Sequence, residues 1–250
     1  MCAALVTIFL ALNVAAETVV AQTTDQTYSV DGKDSFSIAG DIRSEISYSG
    51  TQTLRIRRHG KNSRYAAHVD YRRSDGPAST DATSDYVADL LPSGDIVPSS
   101  EHDPDYLTVL NQPFAAQLDR QTLGDLRRMS GSMPFDFPSP FTGSSLHGYL
   151  RHIGGGTLGA RHATGVRFEA AGPMKGALPD RPGVTLNGTI MMRGTAFYDS
   201  ASAVLLALDS TVTINGTLSN RAANDPVTIT YERKIRAREP QPTESARRAP

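Results

Sequence analysis

The sequence predicts a mainly β fold, β-rich with a minor helical part: a curved antiparallel sheet, partial barrel or sandwich. Three observations carry this. Apolar and polar residues alternate over long stretches, turn-forming residues recur between those stretches, and one segment repeats its apolar residues at helical spacing.

The alternation is clearest between Tyr28 and Tyr71, where Phe36 and Ile38, Ile42, Ile46 and Tyr48, Leu54 and Ile56, and Tyr65, Ala67, Val69 and Tyr71 follow a period of two. Side chains two apart on a strand share a face, so these runs are half-buried strands. Turn chemistry at Asp31-Gly32, Gly40-Asp41, Ser49-Gly50 and His59-Gly60-Lys61-Asn62 separates them into an antiparallel meander of short strands. Residues 73–80 are expected to form a surface loop, followed by a strand pair around Pro92-Ser93-Gly94.

Prolines at 98, 104, 113, 134, 138 and 140 keep any helix in the middle of the chain short. The spacing predicts one helix over 118–129, with Leu118, Thr122, Leu126 and Met129 on one face, Asp119 as cap, and Arg127 and Arg128 at the negative end of the helix dipole. Residues 136–143 then form a connector, or a lid, whose aromatics are pinned to the core. Strands resume over 146–153, 165–170, 184–192, 196–198, 204–208, 211–218 and 227–235, with Gly154-Gly155-Gly156 as a flexible hairpin tip. Residues 185–190 and 213–218 echo each other as Thr-x-Asn-Gly-Thr-x, too briefly to be a repeat. Unbroken apolarity over 201–208 suits a strand buried on both faces or a buried helical turn.

Residues 1–21 form an apolar leader, too short to cross a bilayer as a mature helix, and are expected to be a signal peptide cleaved after Ala21. No Lys or Arg precedes the apolar run, which departs from the usual signal pattern. Residues 22–238 are expected to form a single β-rich domain, and residues 239–250, rich in Pro, Glu and Arg, a disordered tail. Cys2 is the one cysteine, so a chain beginning at Gln22 has no disulfide, thiolate metal site or Cys nucleophile. These features point to an exported protein, periplasmic or secreted, of a bacterial envelope, with no transmembrane span in the mature chain.

The 25 Lys and Arg balance 26 Asp and Glu, and a net charge of -1 argues against a nonspecific nucleic-acid binder. Arg55, Arg57, Arg72 and Arg73 lie in the most basic stretch and are the candidate anion-binding residues for phosphate, anionic lipid or an anionic envelope polymer. A solvated strand face with its edge protected by charge is the simpler account of them. His147, His152 and His162, with Glu169 or Asp180, match no tight metal motif, and Asp199 followed by Ser200 and Ala201 fits a turn that ends a strand. The sequence has no nucleophile elbow and no phosphate-cradling or dinucleotide-binding glycine loop, so no metal, cofactor or catalytic residue is assigned.

The expected function is a non-enzymatic binding or carrier role for a hydrophobic or amphipathic ligand such as lipid, with Phe135, Phe137 and Phe141 as the candidate ligand-binding residues. One alternative is an envelope hydrolase using His147, His152, Asp199 and Glu169. Another is a structural domain contacting anionic polymers.

Overall fold

A computed structural model describes residues 22–59, 62–90, 96–98, 118–138, 145–177, 183–220 and 223–238. The expected signal peptide, the tail, Phe141 and Asp180 lie outside the described residues. Eleven strands form a single antiparallel sheet: β1 (Gln22–Ile38), β2 (Asp41–His59), β3 (Asn62–Asp75), β4 (Ala78–Leu90), β5 (Ile96–Pro98), β6 (Ser132–Pro138), β7 (Ser145–Leu158), β8 (Arg161–Ala177), β9 (Thr185–Asp199), β10 (Leu205–Ser219) and β11 (Asn224–Ala237). The strand order is β5-β4-β3-β2-β1-β11-β10-β9-β8-β7-β6. The first and last strands thus pair at the centre. The chain meanders out to one edge, crosses to the other and meanders back, and among the described residues the crossing holds one helix, α1 (Arg120–Arg128).

The strands are longer than the sequence predicts, because several turn-like dipeptides lie inside them. Gly40 does turn the chain, with Ala39 and Gly40 both at positive φ, whereas Asp31-Gly32 and Ser49-Gly50 pair with each other within the β1–β2 ladder. Residues 73–80 are not a loop: β3 and β4 continue through them to a tight turn at Gly76-Pro77. Gly154-Gly155-Gly156 lies within β7 beside a register shift, and the β7–β8 turn falls at Gly159-Ala160 instead. Residues 132–138 form edge strand β6 rather than a connector, and an edge is where a strand accepts Pro134.

The echoing segments have a structural basis. They lie side by side in β9 and β10, with Asn187 opposite Thr217, Gly188 opposite Gly216 and Thr189 opposite Asn215. A methyl group on Gly188 would stand 2.6 Å from the Gly216 Cα, so the close pairing requires glycine on both strands. Residues 205–208 open β10 fully buried on both faces, as their apolarity requires.

One face of this sheet is buried across its whole width and is mostly apolar. Tyr198 on β9 stands near Tyr28 on β1 and Tyr65 on β3: burial pushes its hydroxyl pKa upward, and the two facing hydroxyls add to the effect. On a flat sheet, five strand spacings, about 24 Å, would separate β9 from β3. The sheet therefore curls about its apolar face, yet edge strands β5 and β6 pair only with β4 and β7, so it does not close among the described residues. At one rim α1 packs against β7, and Arg120 Nε donates to the Ser202 carbonyl in the β9–β10 turn at 3.4 Å. Asp119 caps α1 by accepting from the Thr122 N–H at 2.6 Å. The buried stripe differs from the expected one: Leu118, Leu123 and Leu126 join the core, while Met129 is exposed.

Candidate functional site

The curled inner face is the most extensive feature the fold builds. Phe137, on the inner side of β6, is 1% exposed and stacks on Phe135 edge to face at 4.8 Å and on Phe168 of β8 at 5.7 Å. These two candidate ligand-binding aromatics thus lie on the inner face at one edge of the sheet. Leu146, Leu150, Val166, Leu186, Ile190 and Met192 continue the same surface across β7, β8 and β9.

Toward the centre the surface becomes polar. Arg233 of β11 is 1% exposed and pairs through Nη1 with Asp34 of β1 at 2.5 Å. Gly32, its cross-strand partner, leaves the room: a methyl there would stand 2.8 Å from Arg233 Nη1 and 2.9 Å from Cδ. The guanidinium also lies 5.2 Å from the Tyr48 ring centroid, within cation–π range. Burial raises the Tyr231 phenol well above its ordinary range, with Asp34 adding and Arg233 opposing. Among the described residues Nε and Nη2 of Arg233 find no acceptor, and the amide of Gln52, fully buried on β2, finds neither an acceptor for Nε2 nor a donor for Oε1. Each unsatisfied buried donor or acceptor costs about 1–3 kcal/mol, more on a charged group.

Sequence reasoning missed Arg233, Asp34 and Gln52, although their phase marks them. Arg233 follows Val227, Ile229 and Tyr231 at period two, Asp34 follows Tyr28 and Val30, and Gln52 falls between Tyr48 and Leu54. A polar residue in the apolar phase of a strand is a buried polar residue.

The candidate anion-binding arginines divide between the faces. Arg55, Arg57 and Arg72 are on the exposed outer face, while Arg73, one residue on from Arg72, is half-buried on the inner face. They therefore form no single stripe. Arg55 grips Asp25 through Nε and Nη2 at 2.7 and 2.9 Å, and this bond holds the Asp25 carboxyl below its ordinary range. Arg72 does the same to Asp81 at 2.8 and 3.2 Å. Arg57 lies opposite Arg64. A shallow outer groove of about 470 Å³ over Gly194 balances Arg167, Arg193 and Lys234 against Glu169, Asp209 and Glu232. Its charges alternate in sign rather than concentrate.

The remaining candidates do not converge. His147 bonds Asp136 at 2.7 Å on the exposed face, Glu169 accepts from the Tyr149 hydroxyl at 2.8 Å, and His162 is exposed near the β7–β8 turn. Asp199 ends β9 as a turn residue, accepting from the Ala201 N–H at 3.0 Å and from the Ser202 N–H and hydroxyl at 2.8 and 2.9 Å. Burial works to raise its pKa, but these bonds outweigh it and hold the carboxyl low. Among the described residues no three His, Cys, Asp or Glu side chains are grouped to hold a metal ion. No described helix is long and apolar enough to cross a membrane.

No protein-family model matches the chain, and neither does any curated protein. Among solved structures, one of lipovitellin, concerned with lipid–protein interactions, aligns at 13% identity and a TM-score of 0.40 over 88% of this chain, which spans 26% of that chain. A conserved protein of unknown function with a hot dog fold from Alicyclobacillus acidocaldarius aligns at 9% identity and a TM-score of 0.14, over 87% of this chain and 80% of its own. Both TM-scores are too low to bear on function.

Proposed function

We propose that the curled inner face binds a hydrophobic or amphipathic ligand such as lipid, and that the protein serves as a non-enzymatic carrier in a bacterial envelope. The observation that carries this reading is a largely apolar inner face running across a wide antiparallel sheet that, among the described residues, stays open between β5 and β6. A sheet that needed only a core would bury that face against a second sheet or close on itself. Among the described residues a nine-residue helix packs at one rim. The inner side chains are buried against one another, so uptake requires this packing to part. The apolar leader supports the envelope location.

The sequence contains no Trp, so a single introduced Trp reports on its own surroundings. Phe135→Trp places it on the inner face, and Tyr149→Trp places it on the outer face. Titration with 9,10-dibromostearic acid is expected to quench the inner Trp saturably and leave the outer one unaffected. Equal quenching at both positions, or none at either, would refute the carrier reading.

A further inference from the structure

The inner face is chemically two-sided. On β6, β7 and β8 it presents Phe135, Phe137, Leu146, Leu150, Val166 and Phe168. On β1 to β4 and β11 it presents Tyr28, Tyr48, Tyr65, Tyr71, Tyr86 and Tyr231, six of the nine tyrosines, together with Asp34, Gln52 and Arg233. Phenol hydroxyls and an ion pair are a poor lining for hydrocarbon but a good one for a polar headgroup. The register makes the gradient continuous: one row of paired inner positions runs from Tyr48 through Gly32, Arg233, Ser210, Gly194 and Phe168 to Leu150.

We infer that Arg233 is the headgroup anchor of this face, its unpartnered Nε and Nη2 donors taking an oxyanion, carboxylate or phosphate, of an amphipathic ligand whose tail lies along β6 to β9. The assignment rests on the carrier reading and narrows its ligand to an anionic amphiphile. Asp34 occupies Nη1 and fixes the guanidinium, leaving the other donors for the ligand. Arg73, two strands beyond Gly32 in the same row, adds a second cation to this half, and Asp34 is the one carboxylate buried among the described residues. Gly32 matters for the same reason, since a side chain there would displace the guanidinium.

The test compares dibromostearic acid with its methyl ester, which keeps the tail and loses the charge, using quenching of the Phe135→Trp protein. The acid is expected to bind about tenfold or more tightly, the value of a hydrogen bond to a charged group. Replacing the pair together, Arg233→Met with Asp34→Leu, leaves no orphaned charge and is expected to erase the preference, so that acid and ester bind the variant alike. Equal affinity for acid and ester in the parent protein would overturn the anchor and leave the carrier reading standing. That comparison decides even if the double variant fails to fold. Binding of neither probe would overturn both readings. Inorganic phosphate that displaces the acid at comparable concentration would mark a free-anion site and overturn the lipid headgroup assignment.

Discussion

Removing Arg233 alone isolates the energetics of the inner face. The guanidinium and the Asp34 carboxylate are 2.5 Å apart, with side-chain exposures of 0% and 10%. At an effective dielectric of about 20 their attraction is roughly 6–7 kcal/mol, which largely offsets the several kcal/mol needed to dehydrate each ion. The intact pair is therefore close to neutral for stability. Arg233→Met leaves the attraction lost and Asp34 still buried, and is expected to destabilise the fold by about 3–5 kcal/mol. For a domain of this size that lowers Tm by roughly 6–20 °C. Adding Asp34→Leu is expected to recover most of the loss. Urea unfolding followed by far-UV circular dichroism gives all four corners of the cycle. In Arg233→Met the penalty should shrink as pH falls, because the stranded carboxyl can then take up a proton. Single-variant losses that simply add in the double variant would refute the buried-pair account.

The other predictions are local. Gly188→Ala drives a methyl into the Gly216 backbone and is expected to cost about 1–3 kcal/mol, while Gly124→Ala, on a helix position with open space around it, is expected to gain about 0.5–1 kcal/mol; thermal melts of the two variants should move in opposite directions. Asp199→Ala removes the acceptor of the β9–β10 turn and is expected to cost about 1–2 kcal/mol, as for a lost cap. Because the folded Asp199 pKa is lowered, its contribution is present above the unfolded value and lost as pH falls through the folded one, which pH-dependent urea melts of parent and variant will show. His68 bonds Asp85 at 2.7 Å, which raises its pKa above 6.5, so its stabilising charge is fully present below that value and is lost as pH rises through the folded pKa. Imidazole NMR should find a midpoint that drops in Asp85→Asn; an unchanged midpoint would refute the pairing.

Period-two phase made the strand content and most of the inner face legible in the sequence, since Tyr28, Tyr48, Leu54, Tyr65, Val69 and Tyr71 are buried where the alternation puts them, whereas Ile42 is 69% exposed beyond the register shift that interrupts the β1–β2 ladder between Phe36 and Ser37. Strand length was not legible. Asp-Gly and Ser-Gly favour turns locally, but Gly32 is kept in a strand by the arginine lying across it, a partner about two hundred positions away in the chain. The same distance hid the pairing of β1 with β11, and the sequence did not show that Arg72 and Arg73 part to opposite faces. Phe135 and Phe137 were found because aromatics among prolines stand out; Arg233 was not, because a cation in a basic C-terminal stretch looks like solvent-facing charge until its phase is counted.

The central claim is that the inner face holds an amphiphile, and native mass spectrometry of the protein isolated from its native source, followed by organic extraction, tests it most directly. The account predicts a bound mass of lipid size, extractable into organic solvent and carrying an anionic headgroup. Protein that is unliganded throughout, with nothing recovered in the extract, would contradict it.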